Sequence, residues 1–148
     1  MKKFMQERLN NEKGLTLVEL LAVIVILGII AAIAIPSIGG IIQGTREKAV
    51  IADAQNTLAA ANLYFTENNS LDGATVLLKS SETVDGLVGA YLDDAGSLQS
   101  ATVTKVATGN TIVFSGTAGN KKVETSAGLT KKSLSDLDKA GLKALVTP

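Results

Sequence analysis

The chain has 148 residues, lacks cysteine and histidine, and carries 14 basic and 14 acidic side chains, which give a formal net charge of zero. This composition excludes disulfide bonds, catalysis by cysteine–histidine pairs, and zinc sites other than those built from carboxylates. Because the chain has only three Phe and two Tyr against 14 Gly, any globular core is predicted to be small and aliphatic, and the sequence does not indicate an enzyme.

A long uncharged segment occupies much of the first third of the chain. Residues 20–45 contain no charged side chain, and most of them are Leu, Ile, Val or Ala. A transmembrane helix needs roughly 20 apolar residues to cross about 30 Å of hydrocarbon, so the segment predicts a single membrane span. Basic residues concentrated before the span predict an N-terminus in the cytoplasm and most of the chain outside. These residues are Lys2, Lys3, Arg8 and Lys13.

One carboxylate, Glu19, stands at the start of this apolar stretch. A charge within a bilayer costs about 3 kcal/mol or more, so it normally has a partner or a task. If the chain were cut after Gly14, Leu15 would gain an α-amino group. Glu19 would lie four residues away on the same helical face, or would reach the amine of an adjacent subunit. Cleavage would therefore create the cation that this carboxylate needs.

The sequence Lys-Gly-Leu-Thr-Leu-Val-Glu at residues 13–19 resembles the class III signal of type IV pilins and pseudopilins. The resemblance, which extends to about residue 45, implies that a prepilin peptidase cuts between Gly14 and Leu15 and that Leu15 is then N-methylated. It also implies that Glu19 aligns incoming subunits during assembly. Gly28 and Pro36 fall where these proteins commonly have a helix kink.

Two alternatives to this interpretation remain open at the sequence level. In the first, the N-terminus is an ordinary secretory signal that is cleaved after the small residues Ala32-Ile33-Ala34. In the second, it is a plain membrane anchor in which Glu19 happens to lie near the interface. The intact mass distinguishes them, because the chain would lose residues 1–14, residues 1–34, or nothing.

After the span the pattern becomes that of an amphipathic helix. Pro36 and three nearby glycines predict a bend in the helix before this amphipathic segment. Turn-forming residues at 67–73 predict the end of the helix. Apolar residues at spacings of three and four predict a buried stripe that packs on a small sheet. The stripe consists of Ile51, Ala54, Leu58, Ala61 and Phe65.

The remaining residues predict a small domain built on this stem. We predict a short helix over 83–92, strands over 101–107, 111–115 and 121–125, and a terminal helix over 135–145. The fold class is α+β, with a long N-terminal helix, half transmembrane and half amphipathic, packed on a small antiparallel sheet as in type IV pilins. The predicted organisation is a leader at 1–14, a transmembrane and filament-core helix at 15–44, and a stem with globular domain at 45–148.

Charge is distributed unevenly over this domain. Residues 67–98 hold six acidic residues and one lysine, a net charge of −5, whereas residues 121–148 hold six lysines and three acidic residues, a net charge of +3. One hypothesis is that the two patches face each other between neighbouring subunits; a less favoured one is that the lysines contact DNA. Asp93 and Asp94 fit solvated surface better than a calcium loop, and no cofactor or metal is predicted.

The resemblance and these patterns favour a structural subunit of a type IV pilus, made as a membrane precursor and assembled into a helical filament on the cell surface. Its copies would be its main partners, and the family implies the prepilin peptidase, an assembly ATPase, a membrane platform protein and minor pilins as others. Adhesion, twitching motility or DNA uptake would belong to the assembled fibre. The alternatives are a pseudopilin of a type II secretion or competence system and, ranked last, a membrane-anchored binding domain.

Overall fold

The computed structural model describes the backbone of residues 2–79, 81, 86–140 and 146–147, and the side chains of residues 16–79, 81 and 86–137. The chain divides into two compact units, Met1–Ile41 and Ile42–Pro148. The fold is α+β, with a long N-terminal helix and a small antiparallel sheet, which confirms the predicted class. In chain order the elements are α1 (Lys2–Glu67), β1 (Thr75–Leu77), β2 (Leu98–Thr104), β3 (Thr111–Ala118), β4 (Lys121–Glu124), α2 (Lys131–Ala140) and β5 (Val146–Thr147).

The first unit consists of the N-terminal part of α1. The helix continues through Pro36, which has no amide hydrogen to donate to the preceding turn. One residue later, the Ser37 hydroxyl donates a hydrogen bond of 3.1 Å to the carbonyl oxygen of Ile33, and such a bond back to the preceding turn often accompanies a slight bend. The bend expected at Gly28 and Pro36 stays a prediction.

The second unit is built on the C-terminal part of α1. The predicted apolar stripe is confirmed, since all five of its residues are buried. Burial of each large side chain stabilises the fold by about 1.5–3 kcal/mol. The helix ends where turn chemistry predicted it: Asn69 adopts a φ of 46°, and the Ser70 amide donates to the carbonyl oxygen of Phe65 at 3.1 Å. This is the αL cap that satisfies the last carbonyls of a helix.

The sheet is an antiparallel meander in which the five strands lie in the order β1-β2-β3-β4-β5. Strands β1 to β4 alternate between more buried and more exposed residues, as a sheet with one covered face must. Ile112 and Phe114 are buried, as predicted. The three predicted strands are confirmed with boundaries shifted by a few residues, whereas the short strands β1 and β5 were not predicted.

The predicted helix over 83–92 is wrong in the part that the structure describes. Residues 86–92 form turns and isolated bridges, with Gly86 paired to Leu77. The apolar spacing suggested a helix, but Gly86 and Gly89 weaken one, and Gly89 has a φ of 94°. The Leu87 amide instead donates to the carbonyl oxygen of Leu77 at 2.9 Å, which extends the sheet. Residues 83–85 of that prediction lie outside the described residues.

The terminal helix begins earlier than the sequence suggested. It starts at Lys131 instead of at residue 135, because the hydroxyl of Thr130 accepts a hydrogen bond of 3.3 Å from the Ser133 amide and so caps the first turn. Leu134 is fully buried and attaches this helix to the core. Residues 141–145 of the predicted helix lie outside the described residues.

Candidate functional site

The first candidate site is the segment around the predicted cleavage position. Gly14, Leu15 and Glu19 all lie on the helical backbone of α1. Positions four apart in a helix share a face and are separated by about 6 Å along the axis, so the spacing that the electrostatic argument requires is present in the backbone. The side chain of Glu19 is exposed, and the side chain of Leu15 lies outside the described part of the chain.

The helix surface that follows Glu19 is apolar on all sides and uncovered. Of the twenty exposed large hydrophobic residues in the described part of the chain, sixteen lie between Leu17 and Ile42, and their exposed fractions run from 46% to 71%. Soluble monomers rarely expose apolar patches larger than a few hundred Å². By length and composition the helix is apolar enough to cross a membrane. A surface of this kind needs either lipid or other helices around it.

Within the second unit, several polar contacts attach loops and strands to the stem part of α1, and one of them is the hydrogen bond of 2.5 Å that the Asn110 amide donates to the side-chain oxygen of Asn62. The Asp53 carboxylate accepts hydrogen bonds from the amide and the hydroxyl of Ser97, at 2.7 and 2.5 Å. The Gln43 amide donates to the carbonyl oxygen of Ala118 at 2.9 Å, next to the β3–β4 turn. The Tyr91 hydroxyl donates to the Glu67 carboxylate at 2.7 Å.

Sequence reasoning missed these contacts because their partners are far apart in the chain. Asp53 is not part of the predicted apolar stripe, yet the residue is half-buried. The one available signal was Gly96 beside Ser97. Gly96 has a φ of 56°, and a Cβ added there would overlap the Asp53 carboxylate. A glycine is therefore required where the loop passes over the stem.

Two of the acidic residues beside this loop, Asp53 and Asp94, hold it in place by hydrogen bonds. Asp53, Asp93 and Asp94 line a small cavity of about 170 Å³ together with Asn56, Leu92 and Ala95. An oxygen of Asp94 accepts the Gly96 amide at 2.6 Å, which fixes the turn before β2. No group of three acidic side chains placed to hold a metal ion occurs among the described residues.

The N-terminal segment matches the family model of the prokaryotic N-terminal methylation motif over residues 9–35. The matched range contains the predicted cleavage pair Gly14–Leu15, Glu19 and Gly28. Comparison with curated proteins and with solved structures gave no match. The motif supports a type IV pilin-like prepilin with a class III signal, and the α+β fold is consistent with that of a pilin. The family that carries this signal is structural, not catalytic.

Proposed function

We propose that this prepilin is a structural subunit of a type IV pilus and not an enzyme. The precursor would sit in the cytoplasmic membrane as a single-pass protein with its N-terminus inside. After cleavage it would pass into a helical filament on the cell surface. The observation that supports this most strongly is the exposed apolar surface between Leu17 and Ile42. Lipid in the precursor and neighbouring helices in a fibre would cover this surface.

Cleavage between Gly14 and Leu15 is the step that makes assembly possible in this proposal. The peptidase would release the leader, residues 1–14, and the new amine of Leu15, methylated but still cationic, would lie one helical turn from Glu19. In an apolar filament core the two opposite charges neutralise each other, within one subunit or between neighbours. Neither charge alone is tolerated there at low cost.

The rest of the chain would have separate tasks. Residues 15–44 would form the filament core, with a bend at Gly28 and Pro36 that lets the helix adapt to its neighbours. Residues 45–148 would form the outer domain, whose surface contacts what the fibre binds. Other expected partners are the prepilin peptidase, the assembly ATPase, the platform protein and minor pilins.

The intact mass of the protein recovered from the producing cell tests the processing step. We expect loss of residues 1–14 and the gain of one methyl group. Gly14→Val should leave the leader attached, because a branched side chain then replaces the smallest residue at the cleaved bond. Gly44→Ala is the matched control, since a Cβ at Gly44 meets no atom within 4 Å. Loss of residues 1–34, or no loss at all, would refute the proposed processing.

Electron microscopy of cells labelled with an antibody against the chain tests the filament. We expect long labelled fibres on the surface, and we expect Glu19→Gln to abolish them while Glu19→Asp retains part of them, since only the second variant keeps a negative charge. Fully processed protein without long fibres would instead favour a pseudopilin of a secretion or competence system.

A further inference from the structure

The acidic residues of the outer domain gather beyond one edge of the sheet. Residues 86–88 extend the sheet on the outer side of β1, because the amides of Leu87 and Val88 donate to the carbonyl oxygens of Leu77 and Leu78 at 2.9 and 3.0 Å. Exposed carboxylates precede β1 and follow this extension. We call this set the acidic edge, and it consists of Glu67, Asp72, Asp93 and Asp94.

Lysines gather on the opposite side of the sheet. Strand β4 pairs with β3 on the side away from β2. On that same side the amides of Ile112 and Leu129 exchange hydrogen bonds with each other's carbonyl oxygens, at 2.9 and 2.8 Å, so the start of α2 also lies there. We call these lysines the basic edge, and the set consists of Lys121, Lys122, Lys131 and Lys132.

The two edges do not neutralise each other within one chain. Strands in a sheet are about 4.8 Å apart, so β1 and β4 are separated by about 14 Å, which exceeds the screening length of about 8 Å at physiological salt. Among the described side chains the ion pair that forms joins Lys122 to Glu124, at 4.0 Å and largely exposed. The Lys105 ammonium donates to the carbonyl oxygen of Ser70, between Glu67 and Asp72. With Lys79 and Lys105 counted on the acidic side, and with Glu124 and Asp136 on the basic side, the described side chains leave charges of −2 and +2.

Two of the lysines occupy positions that are unfavourable for the stability of the isolated chain. Lys131 and Lys132 occupy the first turn of α2, at the positive end of the helix dipole, where acidic residues are favoured. Both are exposed, so burial against the core does not explain them. A negatively charged surface outside the chain would make this placement favourable.

We propose that the acidic edge of one copy of this chain contacts the basic edge of the next copy. Two different surfaces that complement each other make a heterologous contact, which repeats along a helical array instead of closing a two-fold dimer. The inference rests on the proposed function, because it supplies a second contact, between outer domains, for subunits held together by their apolar helices. The single contacts are weak and act together.

Charge reversal tests the pairing of the edges in the full-length chain. We compare Asp72→Lys/Asp93→Lys, which makes both edges basic, with Lys131→Glu/Lys132→Glu, which makes both acidic, and with the variant that carries all four changes. The second pair of changes places acids in the first turn of α2, where they favour the helix, so lost assembly cannot be assigned to unfolding. Lys48 is exposed on the stem, outside both edges. Lys48→Glu is therefore the control for a charge reversal that does not affect either edge.

The readout is the share of processed protein that sediments as sheared fibre. In each single-edge variant the share of protein that sediments as fibre should fall about tenfold, because attraction becomes repulsion at every contact. The four-site variant should recover most of the loss, and co-expression of the two single-edge variants should give mixed fibres. Fibre from the original chain should weaken with rising salt. A four-site variant no better than its parents would overturn the pairing.

Cross-linking separates failure of this inference from failure of the proposed function. Because the chain has no cysteine, Asp93→Cys and Lys131→Cys can be placed on separate co-expressed copies and joined by a short bis-maleimide. The mixed pair should cross-link, and neither variant should cross-link with itself. Mixed cross-links without long fibres would support the contact while contradicting the pilus. Fibres without mixed cross-links would contradict the contact alone.

Discussion

Replacing Asp53 with alanine should destabilise the outer domain, because its carboxylate is the point at which the loop before β2 is attached to the stem. The carboxylate accepts two hydrogen bonds from Ser97, at 2.7 and 2.5 Å. Hydrogen bonds to a charged group contribute about 1.5–3 kcal/mol each when buried. Asp53 is half-buried, and alanine has about 0.5 kcal/mol better helix propensity, so we expect a net loss of about 2 kcal/mol.

A small set of variants isolates this interaction. Asp53→Asn keeps an acceptor without the charge and should cost about 1 kcal/mol, and Ser97→Ala, which retains the amide donor, should cost about the same. The double variant Asp53→Ala/Ser97→Ala should lose less than the two single effects combined, by about 0.5–1 kcal/mol, since both changes remove the same hydroxyl bond. Asp93→Ala is the control, an exposed residue of the same cavity, and should change stability by less than about 0.5 kcal/mol.

Urea unfolding of the full chain in detergent micelles, followed by tyrosine fluorescence, measures these differences. The chain has no Trp, and its two tyrosines pack edge-to-face at 5.6 Å between the stem and residue 91, so their emission reports the attachment of this loop. The reasoning would be refuted if Asp53→Ala unfolded at the same urea concentration as the original chain. Strict additivity of the double variant would also refute it.

Three further substitutions probe the domain by the same assay. Thr125→Val should lower the free energy of unfolding by about 1–3 kcal/mol, because the buried Thr125 hydroxyl accepts a hydrogen bond from the Phe114 amide at 2.9 Å. Thr125→Ser keeps the hydroxyl and should retain most of the stability. Equal effects of the two substitutions would contradict this explanation. Leu134→Ala should cost about 2–5 kcal/mol, whereas Leu71→Ala, 82% exposed, should be nearly silent. Asn69→Ala should cost about 1 kcal/mol, since Asn69 holds a positive φ, and Asn69→Gly should be neutral or slightly stabilising.

Features that depend on neighbours in the chain were predictable. The long apolar segment, the amphipathic stripe from Ile51 to Phe65, the helix end near Asn69 and the strands around Gly109 all follow from periodicity and turn chemistry. The motif around Glu19 was equally visible, because its residues lie within a few positions of one another. These features predict a type IV pilin-like prepilin, and the family model supports that prediction over residues 9–35.

Features that depend on distant partners were decided by tertiary structure. Residues 86–92 have a helical apolar pattern, yet the amides of Leu87 and Val88 bond to Leu77 and Leu78, at the end of β1. The sequence did not predict β1, because it is only three residues long. Asp53 finds Ser97 only because the loop passes over the stem, and the charged segments become two opposite edges only when the meander is formed. A local pattern fixes which face of an element is apolar, but the identity of what covers that face is set by packing across the whole chain, and single-residue preferences are too weak to encode it.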